Sequence, residues 1–224
     1  MEYVFQFGIV WRDIDTLLLG AWLTARLSAI SMVLGLAVGV ALARASRFRT
    51  LRAITRGYVE AIRNTPFLVQ VLFVYLGLPS LGIRLTPGQA ALLAMVVNLG
   101  AYATEIVRAG IKAVPAGQIE AGKALGLSPW HILRFVIFLP ALRAVFPALG
   151  SQFILVMLAS SVVSVISAEE LTAVADTLVA RNFRSFEVYL VVAAFYLAMS
   201  LGFQAAFAAI HRALFSRWAM ADTR

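Results

Sequence analysis

Residues 120–140 read EAGKALGLSPWHILRFVIFLP: a small-residue helix, a glycine, and a second helix opened by Ser-Pro, within a chain that is mostly apolar. Pro115 suits the first turn of a helix running to about Leu125, and Gly126 suits its left-handed C-terminal stop. Ser128 then caps a second helix with Pro129 at its first position. Small residues at Ala116, Gly117, Ala121, Gly122 and Ala124 let another surface approach the first helix closely. Glu120 and Lys123 charge that helix, while Leu125, Leu127 and Trp130 give the hinge an apolar patch. Two readings fit these residues. One is an amphipathic connector lying at a membrane interface; the other is a docking knob for a cytoplasmic partner.

The surroundings of this stretch are those of an integral membrane protein. Of 224 residues 62% are hydrophobic and only 13% charged, with a mean hydropathy of +0.89. Soluble domains run near half apolar and a quarter charged. The length predicts one bundle rather than two modules. The absence of cysteine removes disulfides, Cys-ligated metals and thiol chemistry. A net charge of +8 can signal nucleic-acid binding, but in a membrane chain the placement of basic residues matters more than their sum, and no nucleic-acid partner is expected. The start, MEYVFQFGIVWRDID, lacks the basic n-region of a signal peptide, so the first span is expected to be retained.

A helix crosses the hydrocarbon core with roughly 20 apolar residues. The predicted spans are 17–43, 59–79, 88–111, 144–167 and 187–210, with 115–135 as the polar helix-turn-helix between the third and fourth. The second begins at RNTPFLVQ, where Asn64 or Thr65 is placed to cap a helix and Pro66 suits its first position. Pro140 and Pro147 are expected to bend or restart a helix before the fourth. Arg44, Arg47, Arg49, Arg52, Arg56 and Arg63 fall between spans one and two. Arg108, Lys112, Lys123, Arg134 and Arg143 surround the polar motif, and the tail adds Arg212, Arg217 and Arg224. Only Arg12, Arg84, Arg181 and Arg184 fall on the other side, among acids. The positive-inside rule therefore puts the amino terminus outside and the carboxyl terminus and helix-turn-helix in the cytoplasm.

Stretch 120–140 resembles the EAA loop of binding-protein-dependent ABC importer permeases: Glu120, Ala121 and Gly126 match that motif. Gly122 stands where the family has Ala, and Leu139-Pro140 comes one residue later than the family's spacing. Further stretches are similar to the polar amino-acid branch (histidine, glutamine, arginine and opine permeases). These are YVEAIRNTPFLVQ at 58–70, GLPSLGIRL at 77–85, NLGAYATEIVRAGIKAVPAGQIEAGKALGLS at 98–128, PALGSQF at 147–153 and SAEEL at 167–171. The resemblance implies an all-α, type I importer-like permease of about five transmembrane helices in the bacterial inner membrane. It implies a half-transporter pairing with a second permease subunit, a cytoplasmic ABC ATPase dimer that carries ATP and Mg, and an external solute-binding protein. It also implies coupling to the ATPase through Glu120, Ala121, Gly122, Gly126, Leu127 and Ser128, with Gly126 allowing the sharp turn. The solutes implied are polar amino acids, with opines or compatible solutes such as ectoine as the alternative.

Polar residues inside spans are costly in lipid and default to functional hypotheses. Glu60 with Arg63, and Glu105 with Arg108, stand three apart and are expected to form structural ion pairs or to serve in gating. Asn98 and Tyr102 either line the pathway or bond between helices. Ser160, Ser164 and Ser167 share a helical face, with Ser161 beside them; that face is either solute-lining or packed. Where many relatives carry a Lys-Asp-Thr-Ser stretch, this chain has Leu158 and Ala159 at the charged positions. That departure leaves three readings: a heterodimer whose other permease carries the solute site, specificity resting with the external binding protein, or a less conventional solute such as an opine or a compatible solute. The heterodimer is the one favoured.

No cofactor is expected on this chain. No GxxxxGK[ST] phosphate loop is present, and His131 and His211 lie too far apart in sequence for a metal site. A membrane-embedded hydrolase would call for paired Asp or Ser/His within a span, which this sequence lacks. A passive channel would leave the cytoplasmic helix-turn-helix without a role.

Overall fold

Small residues decide how the two central helices meet, and the rest of the bundle is assembled around that contact. The computed structural model describes residues 4–219, so Arg224 lies outside it. Among the described residues every regular element is helical. In chain order these are α1 (Phe7–Arg12), α2 (Ile14–Ala45), α3 (Arg49–Arg63) and α4 (Phe67–Leu72). α4 continues through a π turn, Phe73–Gly77, and a 3₁₀ turn, Leu78–Leu81. Then follow α5 (Pro87–Lys112), α6 (Ala116–Ala124) and α7 (Pro129–His131). A π turn, Ile132–Ile137, leads from α7 into α8 (Phe138–Ala159), which ends in a 3₁₀ turn, Ser160–Ile166. α9 (Leu171–Asn182) and α10 (Ser185–Ala219) complete the chain. Among the described residues four helices are long and apolar enough to cross a membrane, with a fifth if the bent pair of α3 and Phe67–Leu81 is counted as one span.

α5 starts where its sequence says it must. Pro87 occupies the first position, the Thr86 hydroxyl accepts the Gln89 amide, and Gln89 Oε1 accepts the Thr86 amide at 3.0 Å. This reciprocal cap satisfies amides that a helix start otherwise leaves unpaired. α2 crosses α5 at Gly35 and Gly39. A Cβ built on Gly39 would fall 2.5 Å from the Ala103 Cβ, and one on Gly35 2.8 Å from Leu99. Without a hydrophobic drive between helices in lipid, such close approach is what holds them. Gly39→Val is therefore expected to cost about 1–3 kcal/mol of overpacking or more. Thermal melting of the solubilised chain reads this; an unchanged melting temperature would contradict the contact.

Two predicted spans are redrawn. The segment 59–79 is not one helix: α3 and Phe67–Leu81 meet at 110°. Pro66 lacks the amide needed to continue α3 and holds extended backbone (ψ 138). Asn64 and Thr65 do not cap the following helix. Their side chains turn back, Asn64 Nδ2 donating to the Glu60 carbonyl at 2.8 Å and Thr65 Oγ1 to that of Ala61 at 2.9 Å, and so close α3. Gln70 then spans the bend, its amide donating to the carbonyls of Ile62 (2.7 Å) and Thr65 (3.1 Å). The fourth span starts earlier than 144, because Pro129–Ile166 runs as one 38-residue helical stretch. Pro140 does not restart it: Pro140 has no amide for the Val136 carbonyl, and the π turn that contains Val136 takes up that irregularity. Pro147 sits inside α8 without breaking it.

Three apolar clusters hold the bundle. The largest joins Met32, Met95, Leu99, Leu149 and Met157 between α2, α5 and α8. A second, around Leu17, Leu171 and Val188, ties α9 and α10 to the start of α2. The third, Val114, Ile132, Ile137 and Ala141, lies at the opposite end and packs α6 on the π turn.

Candidate functional site

The end of α6 is built by backbone geometry. The Leu127 amide donates to the Gly122 carbonyl at 3.1 Å and the Gly126 amide to that of Lys123 at 2.9 Å. These paired bonds are a Schellman stop, and it needs a left-handed residue between helix and exit. Gly126 supplies it with φ +72. Ser128 caps the next helix: its Oγ accepts the His131 amide at 3.4 Å and lies 2.6 Å from His131 Nδ1. Pro115 takes the cap position before α6 rather than the first turn, since its extended ψ of 132 lies outside the helix. Gly122 is buried, and a Cβ there would already lie 3.4 Å from Ile132, so α6 sits close against the π turn.

Outward from this seat point Glu120, Lys123 and the uncovered side chains of Leu125 (79% exposed) and Trp130 (63%). Large apolar side chains left uncovered beside charge mark an interaction surface. The second helix of the predicted 115–135 pair is not separate. It continues through the π turn into α8, so the hinge is joined directly to a membrane span.

The paired acids and bases resolve differently. Glu105 and Arg108 meet at 2.6 Å near the α6-side end of α5. Glu60 does not pair with Arg63. It takes Arg56 at 2.7 Å, four residues earlier, and the Arg63 guanidinium lies over the Tyr102 ring at 5.4 Å. Both spacings place side chains on one helix face, and the aromatic ring of α5 draws Arg63 away. Asn98 Nδ2 donates to Gln70 Oε1 at 2.9 Å, which links α5 to the α3–α4 bend. Asn98 and Tyr102 are thus engaged between helices.

The serine face is also redrawn. From Ser160 the chain is a 3₁₀ helix, in which residues three apart eclipse. Ser161 and Ser164 therefore align and Ser160 leaves that face, while Ser167, at φ +57, lies beyond the 3₁₀ turn. Ser160 is buried and donates to the Met157 carbonyl at 2.6 Å, and Ser161 donates to that of Leu158 at 2.9 Å.

Ser164 and Ser167 line a cavity of about 540 Å³ against α9, at the end of the bundle opposite α6. A second cavity of about 500 Å³ shares Leu23, Ser167 and Glu169 with it and adds Arg26 and Gln89. Opposite charges, Arg26 and Glu169, thus face one open volume. Arg26 in the first span and the acid pair of SAEEL were visible in the sequence, but their 143-residue separation hid the juxtaposition.

Beside these cavities lies a buried carboxylate that spacing alone did not single out. Glu170 is fully buried. Its oxygens accept the Ala173 amide at 2.8 Å, the Tyr196 hydroxyl at 2.7 Å and the Thr24 hydroxyl at 3.5 Å. Thr24 in turn accepts the Leu171 amide at 3.0 Å. One side chain therefore ties α2, α9 and α10. Desolvation raises its pKa above the usual carboxylate value, against the opposing pull of these donors. An acid directly before the apolar-periodic run LTAVADTL is the signal for its role as a helix cap.

The fold agrees with the comparisons. The sequence profile described as "binding-protein-dependent transport system inner membrane component" matches residues 32–216, and the chain belongs to that family. It is the membrane-spanning permease component of an ABC importer, a transport subunit rather than an enzyme. Among curated proteins, the glutamine transport system permease protein of Escherichia coli K12 is 37% identical over 201 residues, covering 88% of this chain and 92% of its own. The nopaline permease of Agrobacterium fabrum is 36% identical, with 78% and 77% covered. The L-cystine permease of Bacillus subtilis is 39% identical, with 79% and 76% covered. A solved structure of an amino acid ABC transporter with histidines superposes with a TM-score of 0.88 at 33% identity, over 94% of this chain and 99% of its own.

Proposed function

We propose that this permease passes polar α-amino acids, or their opine conjugates, from an external binding protein to the cytoplasm. The observation that carries this reading is the cavity lined by both Arg26 and Glu169, which adjoins a second cavity that Glu169 also lines. A zwitterion needs a cationic and an anionic partner, and this open volume offers one of each. The glutamine, nopaline and cystine systems of the similar permeases support the same solute class. Compatible solutes of the ectoine kind, also zwitterionic, are the second reading.

In this scheme α6 and the Gly126 hinge dock in the cytoplasm on an ATPase dimer that binds ATP and Mg. Glu120 and Ala121 supply α6's outer face and close approach, Gly122 seats it, and Leu127 and Ser128 fix the exit. The amino terminus faces outside. Leu158 and Ala159 are uncharged where many members of the family it resembles carry Lys and Asp, which favours pairing with a different permease subunit.

Two measurements test the reading. Ligands are first ranked by the melting shift of the cognate binding protein, since tight ligands raise apparent stability. Uptake of the leading solute into proteoliposomes is then compared in Arg26→Gln and Glu169→Gln. Each loses one charge-assisted contact, with an expected loss of about tenfold. A sugar or inorganic phosphate as the stabilising ligand, or unchanged uptake in both variants, would overturn it.

A further inference from the structure

A groove of about 380 Å³ runs along the α6-side half of the bundle between α2, α5 and α8. Val40, Ile111, Phe138 and Leu142 are among its walls, and every lining side chain is apolar except two. Those two, Arg44 in the last turn of α2 and Arg47 just beyond it, close the end at the membrane surface. Both are exposed. Neither guanidinium has an ion-pair or hydrogen-bond partner among the described residues.

From these features we infer that the groove is a binding site for one anionic phospholipid of the leaflet on the α6 side. An acyl chain lies along the apolar walls, and the phosphodiester sits on Arg44 and Arg47. The charge pattern selects this occupant. An apolar trough offers a polar solute nothing, while two free guanidiniums at its mouth demand an anion. Basic pockets between spans at a membrane surface fit anionic headgroups.

The adjoining helix marks the level of those headgroups independently. α3 carries Arg49, Arg52 and Arg56 on one face, while Phe48, Leu51 and Ile54 on and beside it remain uncovered. That is the pattern of a helix lying in the interface. The groove is also walled by Leu133, Ile137 and Phe138, the π turn and helix start that join the hinge to the membrane span. A lipid there braces that joint. This site does not depend on the identity of the transported solute.

Native mass spectrometry of the full chain in mild detergent tests the inference, with phosphatidylglycerol and phosphatidylcholine of matched acyl chains as probes. Wild type is expected to retain one phosphatidylglycerol per chain in preference to phosphatidylcholine. Arg44→Gln with Arg47→Gln is expected to weaken phosphatidylglycerol binding about twenty-fivefold, about fivefold for each charge. Val40→Trp, which fills the trough from its exposed wall, lowers retention of both lipids. Arg49→Gln with Arg52→Gln leaves groove binding within about twofold. Melting temperatures verify that each variant is folded. Equal retention of both lipids by wild type, or unchanged affinity in the Arg44/Arg47 variant, overturns the site. So does an efficient disulfide between two copies carrying Val40→Cys and Leu142→Cys, which would make the groove a permease–permease interface.

Discussion

Gly126→Val is expected to abolish coupling, with solute uptake falling at least tenfold while the chain inserts at wild-type levels. The residue sits at φ +72, where a β-branched side chain is a steric outlier and left-handed backbone costs roughly 1–2 kcal/mol even without branching. The strain cannot be relieved locally, because the two bonds of the Schellman stop run through this residue and its neighbour. Relief requires the exit of α6 to open, which moves Leu125 and Trp130 off the surface they present with Glu120. Gly126→Asn tolerates the same backbone and is expected to retain most uptake. Glu120→Arg should lose uptake by a different route, reversing charge on the proposed docking face without touching the turn. The readouts are uptake and solute-stimulated ATP hydrolysis in proteoliposomes with the partner ATPase. Wild-type uptake in Gly126→Val and Glu120→Arg, at equal expression, would remove the coupling role from this surface.

Glu170→Ala carries the second large effect, this time on stability. The truncation leaves the Thr24 hydroxyl and the Ala173 amide without their acceptor in a buried site and takes one of two partners from the Tyr196 hydroxyl, which keeps Thr172 Oγ1 at 2.9 Å. Each of the two unsatisfied groups costs about 1–3 kcal/mol, so a total of about 2–6 kcal/mol and a melting temperature lower by about 10 °C are expected. Glu170→Gln separates shape from charge. Because burial raises the folded pKa of Glu170, the folded chain keeps a proton that the unfolded chain sheds at about pH 4.3. The favourable contribution is therefore complete below that pH and declines as pH rises through the folded value. Between pH 5 and the folded value, wild type should lose stability relative to Glu170→Gln. A pH-independent difference between the two would show that Glu170 is ionised in the folded protein.

The hinge was legible because its signals are local: Gly-Leu-Ser-Pro places a left-handed stop and a capped start within four residues, and both are formed. The first, third and fifth spans were legible because an apolar run has few other uses. What escaped the sequence is competition between near-equal choices. Glu60 had bases at two helical spacings and took Arg56, because Tyr102, 39 residues from Arg63, offered that arginine its ring. The serine face depended on whether the chain wound at 3.6 or 3.0 residues per turn, and the apolar pattern of VMLASSVVSVIS is compatible with both. Pro140 promised a break, which the π turn before it absorbed. Long-range pairs such as Gln70 with Asn98 and Glu170 with Thr24 leave no trace in spacing at all.

The unbroken run from Pro129 to Ile166 has a mechanical consequence. At about 1.5 Å per residue its 38 residues form a rod of about 57 Å. One end is the exposed hinge; the other carries Ser164 at the wall of the polar cavity. A tilt of about 5° pivoted at the hinge displaces the far end by roughly 5 Å, more than the width of a water molecule. Such a rod amplifies angle into distance, so a small motion at the hinge becomes a large one at the cavity.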